Sequence, residues 1–161
     1  MKSLLMAAGL LTLALPVAAQ ISTPLPPSRP AVSQPHSPWT RTHRVVIQIT
    51  QNDPALMNTA LNNAENLAQY YKEKGEKIDI EFVAYGPGLS MFRSDTSPVK
   101  DRLAAMSSMK NVTFSACGNT LAKQTKQENK EISIVPEARL VPAGIARIVE
   151  LEEQGWTYVR P

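Results

Sequence analysis

The chain has 161 residues, of which 43% are hydrophobic, and its formal net charge at pH 7 is +3. This length suits one domain with a tail. One cysteine and two histidines exclude an internal disulfide framework and argue against a metal centre. The charge excess comes from Lys2, Arg29 and Arg41, which precede all 14 acidic residues, so the remaining chain is formally neutral. We therefore predict no nucleic-acid partner and no bound metal.

The first 20 residues, MKSLLMAAGLLTLALPVAAQ, have the pattern of a secretory signal peptide. Lys2 provides the positive charge, residues 4–15 are apolar and uncharged, and residues 17–19 are small enough for cleavage before Gln20. The apolar stretch is short for a membrane span, so we expect residues 1–19 to be removed, with no stable membrane insertion afterwards. The alternative is an uncleaved N-terminal anchor. Export from a Gram-negative cytoplasm would place the protein in the periplasm.

Residues 20–42 are predicted to form a proline-rich linker or disordered tail. Six of the 15 residues in the range 24–38 are proline, which favours extended, solvated chain. A proline-rich recognition ligand is the less favoured interpretation. Trp39 is the exception, because we expect an aromatic residue there to pack onto the edge of the domain.

The first strand and helix are predicted from local signals. Residues 44–50 (RVVIQIT) indicate a buried strand. Asn52-Asp53-Pro54 then provides a helix N-cap with proline at the first helical position. Gly75 stands where a C-terminal cap belongs. Between these signals, apolar residues recur on one helix face at Met57, Ala60, Leu61, Ala64, Leu67, Ala68 and Tyr71.

The remaining elements follow the same alternation. Residues 78–84, 112–116, 139–141 and 156–159 indicate strands, and 118–126 a polar helix. Ser97-Pro98 repeats the cap-and-proline signal before a helix, and the polar residues 93–97 predict a mobile flap. The apolar faces of the second and last helices are predicted at Val99, Leu103, Ala104 and Met106, and at Ile145, Ile148, Val149 and Leu151, respectively.

Five strands alternating with four helices predict the α/β class. We expect a three-layer α/β/α domain over residues 43–161, with a mostly parallel five-stranded sheet. Ligands of such sheets bind beyond the carboxyl ends of the strands. The segments predicted there are residues 51–53, 85–88, 117–120 and 142–144.

Cys117 is the residue at these strand ends with evident chemistry. It stands directly before a helix, where free amide groups and the helix dipole favour the thiolate, and Gly118 allows a ligand to approach the backbone. The alternative is a small buried packing residue. The Tyr85-Gly86-Pro87-Gly88 loop matches neither a phosphate loop nor a dinucleotide fingerprint. Only His43 is available for a hydrolytic triad in the domain, which makes that chemistry improbable.

Three segments together resemble the DsrE/DsrF-like family, in its exported branch: residues 114–120 (FSACGNT), 84–88 (AYGPG) and 141–144 (VPAG) followed by 153–159 (EQGWTYV). The resemblance covers residues 43–161. It implies a parallel five-stranded sheet and a homo-oligomer, either a trimer or a hexamer. Sulfur-relay members carry a persulfide on one cysteine, for which Cys117 is the matching catalytic position. The implied ligand-binding residues around it are Tyr85, Gly86, Gly88, Gly118, Asn119 and Thr120.

Two functions stay open at this point, and neither needs a cofactor. The first is a periplasmic sulfur carrier or sulfurtransferase-like protein that holds a persulfide on Cys117 and exchanges sulfur with a donor or acceptor protein. The second is a non-catalytic oligomeric binding module for a small ligand or partner protein, in which Cys117 is structural. The relay members act in the cytoplasm, whereas predicted export would expose a lone thiol to oxidation.

Overall fold

The computed structural model describes residues 42–161. The predicted signal peptide and the proline-rich tail with Trp39 therefore lie outside the described residues. The strands are β1 (Thr42–Ile49), β2 (Lys77–Ala84), β3 (Val112–Cys117), β4 (Ala138–Val141) and β5 (Thr157–Val159). The helices are α1 (Pro54–Glu73), α2 (Lys100–Met106), α3 (Gly118–Glu128) and α4 (Gly144–Glu153), and a 3₁₀ segment (Gly86–Phe92) follows β2. Each strand lies within two residues of its predicted bounds.

The five strands form one sheet in the order β4-β3-β2-β1-β5, and every neighbouring pair is parallel. The predicted α/β fold is confirmed, with an entirely parallel sheet. Strands β1 to β4 are added in one direction and β5 returns to the far side of β1. Right-handed crossovers therefore place α4 on the face opposite to α1 and α2. None of the helices within residues 42–161 is long and apolar enough to cross a membrane.

The two faces of the sheet are covered unequally. On one face, Ile47, Phe82 and Phe114 are in-register neighbours and pack in a large core with α1 and α2. On the other face, Val46 and Val83 pack with Ile148 and Leu151 of α4 in a small cluster. The second face is covered by a single helix of ten residues, so polar side chains remain on it: Gln48, Glu81, Ser115 and Arg139.

The caps of α1 follow the sequence prediction. Asp53 accepts hydrogen bonds from the Ala55 N–H at 2.8 Å and the Leu56 N–H at 3.3 Å, as an N-cap residue does. Gly75, with φ of +69°, comes directly after the C-cap residue Lys74. A side chain at Gly75 would be strained in this left-handed conformation.

The predicted start of α2 is wrong by two residues. The helix begins at Lys100, and its N-cap residue is Val99, which has no capping side chain. The Ser97 hydroxyl instead donates to the Met91 carbonyl at 2.6 Å and accepts only a 3.4 Å hydrogen bond from the Val99 N–H. The local pattern predicts that this hydroxyl caps α2. In the structure it binds the preceding 3₁₀ segment instead.

The expected flap at residues 93–97 is also wrong, because Arg93 anchors it. The Arg93 side chain is buried and forms paired hydrogen bonds with Asp95, both at 2.9 Å, and with Glu128, at 2.5 and 2.8 Å. Lys130 adds a 2.8 Å ion pair with Asp95. The Ser94 N–H donates to the Ser133 carbonyl at 3.0 Å, so backbone and side chains both tie this segment to the chain after α3.

Some of the predicted helix faces are partly exposed. Ala104 of α2 is exposed, whereas Leu103 and Met106 are buried. In α4, Ile148 and Leu151 are buried, whereas Ile145 is 57% and Val149 48% exposed. These two side chains point away from the sheet, because α4 packs on it through a narrow stripe.

Candidate functional site

Cys117 lies where the carboxyl ends of β3 and β4 meet the starts of two helices. It is the last residue of β3 and the N-cap residue of α3. It is in register with Val141, the last residue of β4, from which the chain leads directly into α4 at Gly144. The starts of α3 and α4 are thereby brought to one point at the edge of the sheet.

The sulfur of Cys117 accepts a hydrogen bond from the start of α3 and lies beside the start of α4. The Thr120 N–H of α3 donates to the sulfur at 3.4 Å. The Thr120 hydroxyl and the N–H groups of Asn119 and Gly144 are near enough to favour the anionic form of the sulfur. These amides belong to the first turns of their helices, where N–H groups have no partner within the helix. The positive ends of two helix starts are therefore close to one sulfur.

The pKa of the Cys117 thiol reflects two opposing effects. Burial, the largest effect, raises it, because the thiolate is less stable away from water. Hydrogen bonds from Thr120, Gly144 and Asn119 favour the thiolate, and together they bring the pKa below its ordinary value. The thiol is therefore ionised more readily than a free cysteine, and the thiolate is the nucleophilic form.

Thr120 connects the thiol to the loop after β2. Its hydroxyl oxygen accepts a hydrogen bond from the Gly86 N–H at 3.0 Å. Because the oxygen is used as an acceptor there, the hydroxyl hydrogen remains free to point at Cys117. Gln124, one turn further along α3, donates to the Gly86 carbonyl at 3.2 Å. The loop is therefore held on α3 through both backbone polar groups of one residue, Gly86.

Gly144 fills the narrow space between Tyr85 and Cys117. A Cβ atom on Gly144 would lie 3.0 Å from both Cβ and Cδ1 of Tyr85 and 3.2 Å from Cβ of Cys117. Gly118 is similarly close to β4, since its Cβ would lie 3.2 Å from the Val141 carbonyl oxygen. Glycine at 144 lets α4 approach Cys117 closely, and glycine at 118 lets the start of α3 lie against the end of β4.

Most of the predicted site residues gather around Cys117. Tyr85, Gly86, Gly118 and Thr120 line its surroundings as described, and Asn119 joins them through its N–H, which also donates to the Pro142 carbonyl at 3.1 Å. Gly88 does not take part: it is buried, and a Cβ there would meet the Ile49 carbonyl oxygen at 2.3 Å. Its role is to pack the 3₁₀ segment on the end of β1.

Gly144 was not among the site residues predicted from the sequence, although its segment was placed at the strand ends. The available signal was a Pro-Ala-Gly sequence between a strand and a helix. That pattern indicates a turn, and it does not show which side chains meet the glycine.

The thiol itself is covered, with Cys117 only 5% exposed. A cavity of about 660 Å³ lies at the opposite end of the strands, between the C-terminal half of α1 and the start of β2. A groove of about 280 Å³ between β4 and α4 reaches Pro142 and Ala143, but Cys117 is not part of its wall. Within residues 42–161, no group of three or more His, Cys, Asp and Glu side chains could hold a metal ion.

No protein-family model and no curated protein matches the chain. Among solved structures, a protein of unknown function, MTH1491 from Methanobacterium thermoautotrophicum, is similar, with a TM-score of 0.63 and 28% sequence identity. The match covers 74% of this chain and 99% of that chain. It supports the α/β fold, and its name assigns no activity. The resemblance to the DsrE/DsrF-like family stays a prediction.

Proposed function

We propose that this protein is a sulfur carrier or sulfurtransferase-like protein, similar to the DsrE/DsrF-like family, that holds a persulfide on Cys117. The observation that carries the proposal is the convergence of two helix N-termini on one sulfur. Amide donors and the positive ends of two helix dipoles favour a negatively charged sulfur, whether thiolate or persulfide. The proposed chemistry needs such a sulfur and no metal or cofactor.

The proposed transfer starts with attack of the Cys117 thiolate on the terminal sulfur of a donor persulfide, R–S–SH. A new sulfur–sulfur bond forms at Cys117, the donor's sulfur–sulfur bond breaks, and the donor leaves as its thiolate, R–S⁻. The products are Cys117–S–SH and R–S⁻, so atoms and charge balance without an added oxidant or reductant. An acceptor thiolate then removes the sulfur by the same exchange. One cysteine is sufficient, because no protein disulfide forms in this cycle.

The proposal includes the protein's setting. The sequence of residues 1–19 supports export to the periplasm, and the family resemblance supports a homo-oligomer, either a trimer or a hexamer. A donor or acceptor protein would have to reach the covered thiol. Gly144 packs against the Cys117 side chain, so a displacement of the start of α4 is the movement that would give access to it.

The burial of Cys117 is also the observation that favours the second candidate function. A side chain that is 5% exposed and packed against Gly144 meets the requirements of a structural residue. In that case the domain would be a non-catalytic binding module for a small ligand or a partner protein. The two candidates differ in whether the native thiol reacts.

Incubation of the purified native protein with inorganic polysulfide, followed by intact-mass measurement, tests the proposal. We expect a mass increase of about 32 Da, one sulfur atom, located at Cys117 and reversed by a reducing thiol. The Cys117→Ser variant is the control and should gain no sulfur. An adduct that forms on unfolded but not on native protein would overturn the proposal and favour the structural role.

A further inference from the structure

A buried carboxylate, Glu81, lies at the centre of the sheet on the face covered by α4. It is 2% exposed. Arg147 of α4 donates to both of its oxygens, from Nε at 2.8 Å and from one terminal nitrogen at 2.9 Å. The Ser115 hydroxyl donates to one oxygen at 2.7 Å, and Arg139 donates to the other at 3.0 Å. Both carboxylate oxygens are therefore engaged by donors from three elements.

The pair of Glu81 and Arg147 fixes the position of α4 on the sheet. A buried ion pair often adds little net stability, because removing two charges from water can cost as much as their attraction gains. Stability alone is therefore a weak explanation for this pair. A two-bond contact between a guanidinium and a carboxylate restricts both distance and orientation. Among residues 42–161, the cluster that packs α4 on the sheet contains two buried strand residues, Val46 and Val83. The ion pair therefore contributes much of what fixes the position of α4 along the sheet.

The same pair determines where the start of α4 lies. Arg147 belongs to the first turn, and its N–H donates to the carbonyl of Ala143, the N-cap residue, at 3.0 Å. A displacement of Arg147 therefore displaces Gly144. Ser115, which contacts Glu81, lies two residues before Cys117 on the same strand and on the same face of the sheet.

We propose that Glu81 and Arg147 are positioning residues for Cys117, which hold the start of α4, at Gly144, against its side chain. This inference rests on the proposed function, in which Cys117 reacts as an anion. It adds to the proposed site two residues, Glu81 and Arg147, that act through the position of α4 and touch neither the sulfur nor a substrate. Arg139 of β4 makes one bond to Glu81 and one to the Ser115 hydroxyl, at 3.1 Å, from a side chain that is 52% exposed. It has no such bond to α4, so it contributes little to the placement of that helix.

The test is the pH dependence of Cys117 alkylation by iodoacetamide in the native protein. Arg147→Lys keeps the charge but loses the two-bond contact. We expect its reactivity midpoint to rise by about one pH unit and its reactivity near neutral pH to fall about tenfold. Arg139→Lys is the matched control and should keep the wild-type profile. If Arg147 had a purely structural role, Arg147→Lys would lower the unfolding temperature without moving the pH midpoint of Cys117 alkylation.

A folded Arg147→Lys variant with the wild-type pH profile would overturn the inference. If this variant does not fold, Ser115→Ala replaces it, because it removes one bond to Glu81 without changing charge. An upward shift of its midpoint supports the inference, and an unchanged midpoint overturns it. The polysulfide mass test on wild-type protein is a separate readout. A wild-type adduct with unchanged variant profiles refutes only the positioning role, whereas a shifted profile without any adduct refutes only sulfur transfer.

Discussion

Gly144, the first residue of α4, packs against the side chain of Cys117, the N-cap residue of α3. A Cβ atom on Gly144 would lie only 3.2 Å from Cβ of Cys117. Each helix N-terminus carries about half of an elementary positive charge. Because both act on one sulfur, the chemistry of this thiol depends on how two distant segments pack.

The Gly144→Ala variant tests that dependence directly. The added methyl group would meet two atoms of Tyr85 at 3.0 Å and Cβ of Cys117 at 3.2 Å, so α4 or its neighbours must give by a few tenths of an ångström. We expect the start of α4 to move away from the sulfur and the pKa of the Cys117 thiol to rise. Alkylation kinetics as a function of pH measure this change.

Ala146→Ser is the control for Gly144→Ala, because residue 146 is exposed on the same helix. It should leave the alkylation profile unchanged. A Gly144→Ala protein that folds and retains the wild-type reactivity profile would show that the N–H group of α4 does not influence the thiol.

Thr120 offers a second variant with a conservative counterpart. Thr120→Val removes the hydroxyl that donates to Cys117 and accepts from the Gly86 N–H at 3.0 Å. We expect a higher pKa for the Cys117 thiol and a loss of about 1 kcal/mol in unfolding free energy, because the Gly86 N–H loses its acceptor. Thr120→Ser keeps the hydroxyl and should restore both properties. Equal thiol reactivity in the two variants would contradict this role.

The sequence was sufficient for features that depend on neighbouring residues. Asp53 caps α1 and Gly75 ends it as predicted, because both signals act within one helical turn. The same cap-and-proline signal failed at Ser97, whose hydroxyl bonds the Met91 carbonyl. The sequence pattern predicts a mobile polar segment at Arg93, because the partner that anchors this side chain, Glu128, lies 35 residues further along the chain. Local patterns carry no information about such partners.

The candidate site could likewise be predicted where it depends on neighbouring residues, but not where it depends on distant ones. The position of Cys117 between a strand and a helix could be predicted, and with it one set of amide donors. The contribution of α4 to the surroundings of the sulfur could not be predicted. It depends on the contact of Gly144 with Tyr85 and on the ion pair between Glu81 and Arg147, which holds the helix on the sheet. Gly88 was assigned to the site from its place in the loop, although its requirement for glycine comes from the Ile49 carbonyl.

Gly88 and Gly75 form a contrasting pair for stability measurements. Gly88→Ala would place a methyl group 2.3 Å from the Ile49 carbonyl oxygen, so the 3₁₀ segment must move off β1. We expect a loss of about 3 kcal/mol or more in unfolding free energy. Gly75→Ala has open space but a φ of +69°, and should cost only about 1 kcal/mol. Denaturant unfolding measures both, and similar losses would contradict the packing role of Gly88.

The contacts of Asp95 predict a pH-dependent contribution to stability. Hydrogen bonds from Arg93 and then Lys130 bring the pKa of the Asp95 carboxyl well below its ordinary value of 3.8. A lowered folded-state pKa means that the carboxylate stabilises the protein above the unfolded-state pKa. That stabilisation is lost as the pH falls from there toward the folded-state pKa. At neutral pH, Asp95→Asn should therefore reduce the unfolding free energy by about 1 to 2 kcal/mol, allowing for solvent screening.

The difference between wild-type protein and Asp95→Asn should stay constant from pH 7 to about 4 and shrink as the pH is lowered further to about 2.5. In that lower range the Asp95 carboxyl takes up a proton in the unfolded state but stays ionised in the folded state, which favours unfolding of the wild-type protein. Urea unfolding at several pH values measures it. Glu153→Gln is the control with the same charge change, since Glu153 is exposed and forms none of the ion pairs found among residues 42–161. It should change stability little at any pH. A loss in Asp95→Asn that stays constant across the titration would mean that the Asp95 charge does not anchor the segment at Arg93, and that the variant acts only by altering packing.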